Sequence, residues 1–138
     1  MYPPELVAPM AEQLTTQGFE SLKSEQEVRN VLEDKNGTVL VVVNSVCGCA
    51  AANARPGALM SLANDKTPDR KVTVFAGVDR DATNLAREYM LPYPPSSPAI
   101  ALFKDGNLVH MLERHHIEGR SADIIAANLQ MAYNEYCG

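Results

Sequence analysis

The sequence predicts a single α/β domain over residues 1–138, with a central mixed four-stranded sheet flanked by helices and an extra N-terminal helix. The β-branched run Val39–Val43 is typical of a buried strand, and a helix-forming stretch separates it from a second apolar strand at Lys71–Gly77. This strand, helix, strand order produces a parallel pair. Two later apolar runs flank the turn Lys104–Asn107, which predicts an antiparallel hairpin. A chain of 138 residues suits one hydrophobic core.

Two helices are predicted before the first strand. Apolar residues recur at helical spacing over Leu6–Gln17, and Gly18 stands where a glycine commonly ends a helix. The sequence Ser24–Glu27 is a capping-box pattern, which predicts that a second helix begins near Glu25 and ends near Glu33.

The later elements follow from apolar periodicity and from the positions of proline. The proline-rich segment Leu91–Pro98 fits neither a helix nor a central strand. Pro56-Gly57 interrupts the helix after the cysteines, so we expect a kink there. After the first strand the predicted elements are a helix over about Ala50–Asn64, the strand Lys71–Gly77, a short helix near Ala82–Met90, the strands Ala99–Phe103 and Leu108–Leu112, and a helix capped by Ser121 that ends near Tyr136.

Composition argues against several classes of function. The formal net charge is −5 with no basic stripe, so we do not expect nucleic acid as a partner. No apolar run has transmembrane length, and Met1–Glu5 lacks the pattern of a secretory signal, so we expect a cytoplasmic protein without a membrane partner. Three cysteines, two of them nearly adjacent, are no disulfide framework and indicate redox catalysis or metal binding.

Cys47 and Cys49 lie on either side of Gly48, where the first strand meets a helix. A helix N-terminus offers unpaired N–H groups and positive dipole charge, and both stabilise a thiolate. We therefore predict Cys47 as the nucleophile and Cys49, just inside the helix and less exposed, as the resolving thiol. A disulfide across one residue closes a small, strained ring, so it should be easily reduced, and Gly48 allows the tight backbone.

The order of elements, the thiols at the first strand-to-helix turn, and Ser97-Pro98 ahead of the third strand resemble the thioredoxin fold. In that fold the corresponding proline is cis and lies against the active-site sulfurs. The resemblance therefore implies a cis Ser97–Pro98 bond that shapes a substrate groove, with Ser97 offering backbone groups to an extended substrate. The sequence departs from ordinary thioredoxins in its Cys-x-Cys spacing, its lack of tryptophan, and the absence of an acid in Leu40–Val43, so we expect no thioredoxin-type proton relay.

The segments Asn44–Ala51, Ala54–Pro56 and Pro94–Phe103 resemble the bacilliredoxin family, and Arg114–Arg120 is similar too. The resemblance spans nearly the whole chain. It implies a thiol–disulfide oxidoreductase that removes bacillithiol from mixed disulfides on protein cysteines; disulfide isomerase activity is also associated with the family. No bound cofactor is implied, since bacillithiol or another low-molecular-weight thiol is a co-substrate. The implied partners are proteins carrying such mixed disulfides and a regenerating thiol or reductase.

The predicted substrate-binding residues are Gly48, Arg55, Ser97 and Pro98. Arg55 either stabilises a thiolate or meets a bacillithiol carboxylate, with a solvated helix residue as the alternative.

Adjacent histidines such as His115 and His116 are more typical of surface residues than of metal ligands. Cys137 is either a mobile auxiliary thiol or an inert residue of the tail. The alternative functions are a general protein disulfide isomerase or reductase, a metal-binding module built on the cysteine pair, and a non-catalytic interaction module. Metal sites usually use a second spaced pair, which this sequence lacks, so we predict no metal ligands.

Overall fold

The computed structural model of the chain describes residues 2–138. Within this range a mixed five-stranded sheet carries helices on both faces. The helices are α1 (Pro4–Thr15), α2 (Glu25–Leu32), α3 (Arg55–Ser61), α4 (Arg80–Tyr89), α5 (Arg114–Ile117) and α6 (Ala122–Tyr136), and a π-helical segment spans Ala50–Ala54. The strands are β1 (Glu20–Ser21), β2 (Thr38–Asn44), β3 (Arg70–Phe75), β4 (Ala99–Lys104) and β5 (Asn107–Leu112).

Strand β2 is the central strand of the sheet, whose order is β1-β3-β2-β4-β5. It runs parallel to β3 and antiparallel to β4, and β4 continues into β5 as an antiparallel hairpin. All seven residues of β2 are buried, so the prediction of a fully buried strand there is confirmed. The cysteines follow at the carboxyl end of this central strand.

Alternate residues of β2 face two separate hydrophobic cores. Val39, Val41 and Val43 pack with α2 and α4 on one face, whereas Leu40 and Val42 pack with α1, α3 and α6 on the other. This division follows from the two-residue side-chain period of a strand. The predicted α/β class, with helices on both faces of a mixed sheet, is confirmed.

The number of strands differs from the prediction, because the described residues form five strands rather than four. The added strand β1 has only two residues, and it pairs in parallel with Val72 and Thr73 of β3. Such a short pairing depends on where the chain lies after the end of α1. The strand propensity of two residues therefore cannot predict it. The one-turn helix α5 was also missed, since four residues are too few for a periodic pattern.

The helix after the cysteines is not regular throughout. The predicted helix over Ala50–Asn64 begins as a π-helical segment and continues as α3, and the Arg55 N–H donates to the Ala50 carbonyl at the junction. Ala54 and Arg55 both keep right-handed helical angles, so the backbone stays helical through the junction. The π-helical turn lies immediately before Pro56, whose missing N–H interrupts the regular hydrogen bonding of a helix.

Several local predictions are confirmed. The Ser24 Oγ accepts a hydrogen bond from the Glu27 N–H at 3.2 Å, and the Ser121 Oγ caps α6. The Ser97–Pro98 peptide bond is cis, and so is Leu91–Pro92, which was not predicted. None of the helices within residues 2–138 combines the length and the apolar character needed to cross a bilayer.

Candidate active site

The turn that carries the cysteines is held by backbone bonds and one serine side chain. The Cys47 N–H donates to Ser45 Oγ at 3.0 Å. The Cys47 carbonyl accepts from the N–H groups of Ala50 and Ala51, at 3.0 and 3.3 Å. These bonds wrap the chain around Cys47 as it passes from β2 into the π-helical segment.

The two thiols are in direct contact. Both are free and part-exposed, and their Sγ atoms lie 2.6 Å apart. The Cys49 N–H also donates to Cys47 Sγ at 3.4 Å. Cys47 therefore receives hydrogen bonds from the side chain and the backbone of Cys49, and neither sulfur needs a rearrangement of the fold to reach the other.

The environment separates the acidities of the two thiols. The pKa of Cys47 is lowered, first by the hydrogen bond from the Cys49 thiol, then by the Cys49 N–H, with a further contribution from the Arg114 charge. The pKa of Cys49 is raised by burial, by the same hydrogen bond and by the neighbouring Cys47 charge. Cys47 is thus the thiol that ionises first.

Gly48 is exposed and open to solvent at the tip of the turn. A Cβ atom added there would meet nothing within 4 Å, and the residue is not in the left-handed region of φ. The free-thiol conformation therefore does not require glycine at this position. The predicted need for a flexible backbone applies only to the closed Cys47–Cys49 ring.

The loop before β4 faces the cysteine turn. Ser97 lines the same groove as Cys47, whereas Pro98 is buried at the start of β4. The Ser97 carbonyl accepts a hydrogen bond from Arg114 Nη1 at 3.4 Å, and Ser96 Oγ accepts from the Arg114 N–H at 3.3 Å. The start of α5 is thereby attached to the cis-proline loop.

An open groove of about 540 Å³ lies beside Cys47. It is lined by Tyr2, Ser45, Val46, Cys47, Ala76, Gly77, Arg87, Ser97 and Arg114. Sequence reasoning singled out neither of its arginines as a site residue. Arg87 lies on a predicted helix, and its position in the sequence does not distinguish it from an ordinary solvent-exposed arginine. Arg114 was named only as the first residue of a segment that resembles the bacilliredoxin family.

Arg55 lies beneath the cysteine turn with only 1% of its surface exposed. Its Nη1 donates to Asn44 Oδ1 at 2.8 Å and to the Ser45 carbonyl at 3.0 Å, and its Nε donates to Gln13 Oε1 at 2.7 Å. The alternative of a solvated helix residue is therefore wrong. These hydrogen bonds go to protein oxygens rather than to the cysteine sulfurs, and the cationic charge that lowers the pKa of Cys47 comes from Arg114.

The network around Arg55 joins the N-terminal helix to the thiol turn. Asn44 Nδ2 donates to the Met10 carbonyl of α1 at 3.3 Å, and Asn44 Oδ1 accepts from the Ser45 N–H at 2.9 Å. No carboxylate in residues 2–138 lies within ion-pair distance of the guanidinium. Burial without such a partner lowers the pKa of Arg55.

The remaining candidates lie outside this turn. His115 and His116 are exposed, and with Glu113 they form the one cluster of three candidate metal-ligand side chains within the described part of the chain. Cys137 is buried, and burial raises the pKa of its thiol. Its place in the core that includes residues of α3 and α6 favours the alternative of an inert residue.

Comparison with known proteins gives matches over almost the full chain. The family model described as "Disulphide isomerase" matches residues 2–137. A bacilliredoxin from Cytophaga hutchinsonii is 61% identical over 135 residues, which cover 98% of this chain and 99% of that protein. Bacilliredoxins from Halalkalibacterium halodurans and Salinibacter ruber are 52% and 50% identical, each over 99% of this chain and over 94% and 82% of their own lengths.

Several solved thioredoxins resemble this structure. Oxidized mitochondrial thioredoxin 3 from Saccharomyces cerevisiae superposes with a TM-score of 0.57 at 18% identity, covering 89% of this chain and 98% of that chain. A thioredoxin variant from Halobacterium salinarum gives 0.59 at 20% identity, covering 88% and 92%. At these identities the likeness establishes the fold alone, and it confirms the predicted thioredoxin-like architecture.

Proposed function

Because the chain belongs to the bacilliredoxin family and is a thiol–disulfide oxidoreductase with a thioredoxin fold, we propose that it removes bacillithiol from mixed disulfides on protein cysteines. In this proposal Cys47 attacks and Cys49 resolves. The observation that carries it is a part-exposed Cys47 of lowered pKa, in contact with a second thiol and open to a groove. The proposed place of action is a reducing cytoplasm, where substrate and enzyme thiols stay free between turnovers.

In the first step the Cys47 thiolate attacks the bacillithiol sulfur of the mixed disulfide. A disulfide forms between Cys47 and bacillithiol, and the substrate cysteine leaves as a thiolate that takes a proton from solvent. The lowered pKa of Cys47 supports this order, since the thiolate is the attacking species and Cys49 remains protonated beside it.

In the second step Cys49 loses its proton to solvent and attacks the Cys47 sulfur, so that the Cys47–Cys49 disulfide forms and bacillithiol leaves as a thiolate. The two enzyme thiols supply the two electrons that the mixed disulfide gains. The negative charge of Cys47, which helps to raise the pKa of Cys49, is removed once Cys47 carries bacillithiol. The first step therefore makes Cys49 easier to deprotonate for the second step. A separate thiol or reductase must then reduce the enzyme disulfide.

The other predicted site residues act around the thiols in this proposal. Ser97 lies in the groove and offers backbone groups to an extended substrate, while Pro98 fixes the path of that loop from below. Gly48 leaves the tip of the turn open to a bulky substrate. Arg55 remains a predicted binding residue, and its hydrogen bonds support an indirect part through the Asn44 side chain and the Ser45 carbonyl.

A general protein disulfide isomerase or reductase is the second candidate, and the description of the matching family favours it. The same thiol pair serves both reactions, since an isomerase also begins with attack by an exposed thiolate. The difference lies in what Cys47 carries after the first step. Bacillithiol removal leaves the small thiol on Cys47, whereas isomerisation leaves the substrate protein there.

The test uses C49S, which stops the reaction after the first step. The variant is incubated with a protein capped by bacillithiol on a single cysteine, and the intact products are weighed by mass spectrometry. We expect Cys47 to gain one bacillithiol as the substrate loses it, and we expect C47S to gain nothing. A covalent adduct between C49S and the substrate protein favours the isomerase, and wild-type protein that leaves the cap in place contradicts both.

A further inference from the structure

The groove beside Cys47 holds two guanidinium groups that arrive from different elements. Arg87 comes from α4 and Arg114 from α5, and both line the groove together with Cys47 and Ser97. Its lining residues, all within the described range, include no carboxylate. This is a local excess of positive charge in a chain whose formal net charge is −5. Such a groove attracts anions to the reacting sulfur.

Arg87 has hydrogen-bonding capacity that the protein does not use. Its Nε is buried and has no hydrogen-bond partner, and within residues 2–138 no carboxylate lies at ion-pair distance from its guanidinium. Buried donors are normally paired, and the guanidinium fork matches the geometry of a carboxylate. Because Arg87 also lines the groove, its guanidinium carries a charge that no protein carboxylate neutralises and that a ligand anion can meet.

The ion pair that Arg114 forms within the protein is exposed and can be exchanged for a ligand. Its Nε lies 3.0 Å from Glu118 Oε2 one turn along the chain, and both side chains are exposed. An exposed ion pair of this kind contributes little to stability, so a ligand carboxylate can replace Glu118 at small cost. Arg114 also approaches the cis-proline loop through the Ser97 carbonyl, which keeps its guanidinium beside the sulfur.

We propose that Arg87 and Arg114 form a subsite for the carboxylates of the small thiol that caps the substrate cysteine. The inference rests on the proposed function and narrows its substrate class to mixed disulfides of anionic low-molecular-weight thiols. Binding the cap in this subsite presents the sulfur of the cap to Cys47. The substrate protein then leaves as a free thiolate, and the cap is transferred to Cys47.

The subsite also revises the part predicted for Arg55. That residue was a candidate to meet a ligand carboxylate, but only 1% of its surface is exposed and its guanidinium already donates to three protein oxygens. Arg87 and Arg114 lie in the groove instead and retain donors for a ligand. The same role therefore moves to two residues that sequence reasoning did not select.

The test compares caps of different charge on one peptide with a single cysteine. The peptide is capped with 3-mercaptopropionate, which is anionic, or with 2-mercaptoethanol, which is neutral. Second-order rate constants for peptide release by the reduced protein are divided by those of dithiothreitol with the same caps. This division removes the intrinsic reactivity of each disulfide. We expect the wild-type protein to prefer the anionic cap.

The variant R87Q should lower that preference about tenfold, since it removes a charge-assisted hydrogen bond. R87K should restore part of the preference, because it keeps the charge without the fork. R80Q is the matched control, since Arg80 is an exposed residue of the same helix that does not line the groove. Alkylation of Cys47 by neutral iodoacetamide should be the same in R87Q and in the wild type, which separates a binding role from damage to the fold.

R114Q should slow both caps and also lower the anionic preference, because Arg114 contributes to the lowered pKa of Cys47 as well. An anionic preference that is absent in the wild type, or unchanged in both R87Q and R114Q, overturns the subsite while the proposed function stands. The same two caps are also compared on a second peptide whose acidic residues are replaced by serine, and a preference that is lost in this peptide overturns the subsite too. A peptide capped with bacillithiol is run beside the two other caps, and failure of the wild-type protein to release it overturns the proposed function and the subsite together.

Discussion

Gly57 offers a sharp test of how α3 is seated behind the thiols. A Cβ atom at this position would lie 2.6 Å from Ile125 Cγ2, 2.8 Å from Ile125 Cβ and 3.3 Å from the Ala122 carbonyl of α6. The first two distances are below any normal contact, and Ile125 Cβ cannot move without its backbone. The variant G57A must therefore displace α3 or α6.

The expected cost is the difference between two opposing effects. Overpacking of a buried site costs about 1–3 kcal/mol, whereas replacing glycine by alanine within a helix contributes roughly 0.5–1 kcal/mol in the other direction. We expect G57A to lower the free energy of unfolding by about 1–2 kcal/mol. With an unfolding entropy of about 0.3 kcal/mol/K for a chain of 138 residues, the melting temperature should fall by roughly 3–7 °C.

The measurement is urea and thermal unfolding of the reduced protein, with G48A as the matched control. A Cβ atom at Gly48 meets nothing within 4 Å, so G48A should stay within about 0.5 kcal/mol of the wild type. I125A removes Cγ2 but keeps Cβ, so part of the cost of G57A should vanish in that background. A stability of G57A equal to that of the wild type, or a cost that I125A leaves unchanged, refutes the close approach of α3 and α6.

Further predictions concern the thiols and the arginines around them. Because the pKa of Cys47 is lowered, its alkylation by iodoacetamide should persist below the pH range of an ordinary cysteine. C49A should move that profile to higher pH by removing the hydrogen bond that contributes most, and C49S, which retains a hydroxyl donor, should move it less. R114Q should slow alkylation at pH 7 a few-fold at low salt and less at high salt, since its charge is exposed and screened. R55K should lower the free energy of unfolding by about 1–3 kcal/mol in urea titrations. The reason is that the single nitrogen of an ammonium cannot reach all three acceptors that the guanidinium fork spans. An unchanged urea midpoint would contradict this role of Arg55.

The sequence predicted those features whose causes are local. The run Val39–Val43 is buried on both faces, so its sequence is an uninterrupted apolar stretch that is typical of a buried strand. Ser24 and Ser121 cap their helices through bonds to residues three positions along the chain. The contact between the Cys47 and Cys49 sulfurs is also local, because the turn that brings them together is held by bonds to Ser45, Ala50 and Ala51.

The features that were missed depend on contacts between distant segments. Arg87 and Arg114 are 27 positions apart and line one groove only because the last turn of α4 and the first residue of α5 both lie there. Neither position therefore has a distinguishing pattern in the sequence. Arg55 looks like a solvated helix residue because charge usually marks the exposed face. Its burial is stabilised by Gln13 and Asn44, which are 42 and 11 positions away. Pairing of Glu20 with Val72 depends on long-range docking in the same way.

The burial of Cys137 gives the protein an internal standard for counting thiols. With 6% of its surface exposed and its pKa raised, this cysteine should remain silent to an aromatic disulfide reagent while the fold is intact. The native reduced protein should then titrate as two thiols and the unfolded protein as three. Oxidation of the active pair takes the native count to zero, so a simple colour reaction reports the redox state of Cys47 and Cys49 alone. The Cys137 thiol becomes accessible only when denaturant unfolds the protein, and its reaction gives the total protein concentration.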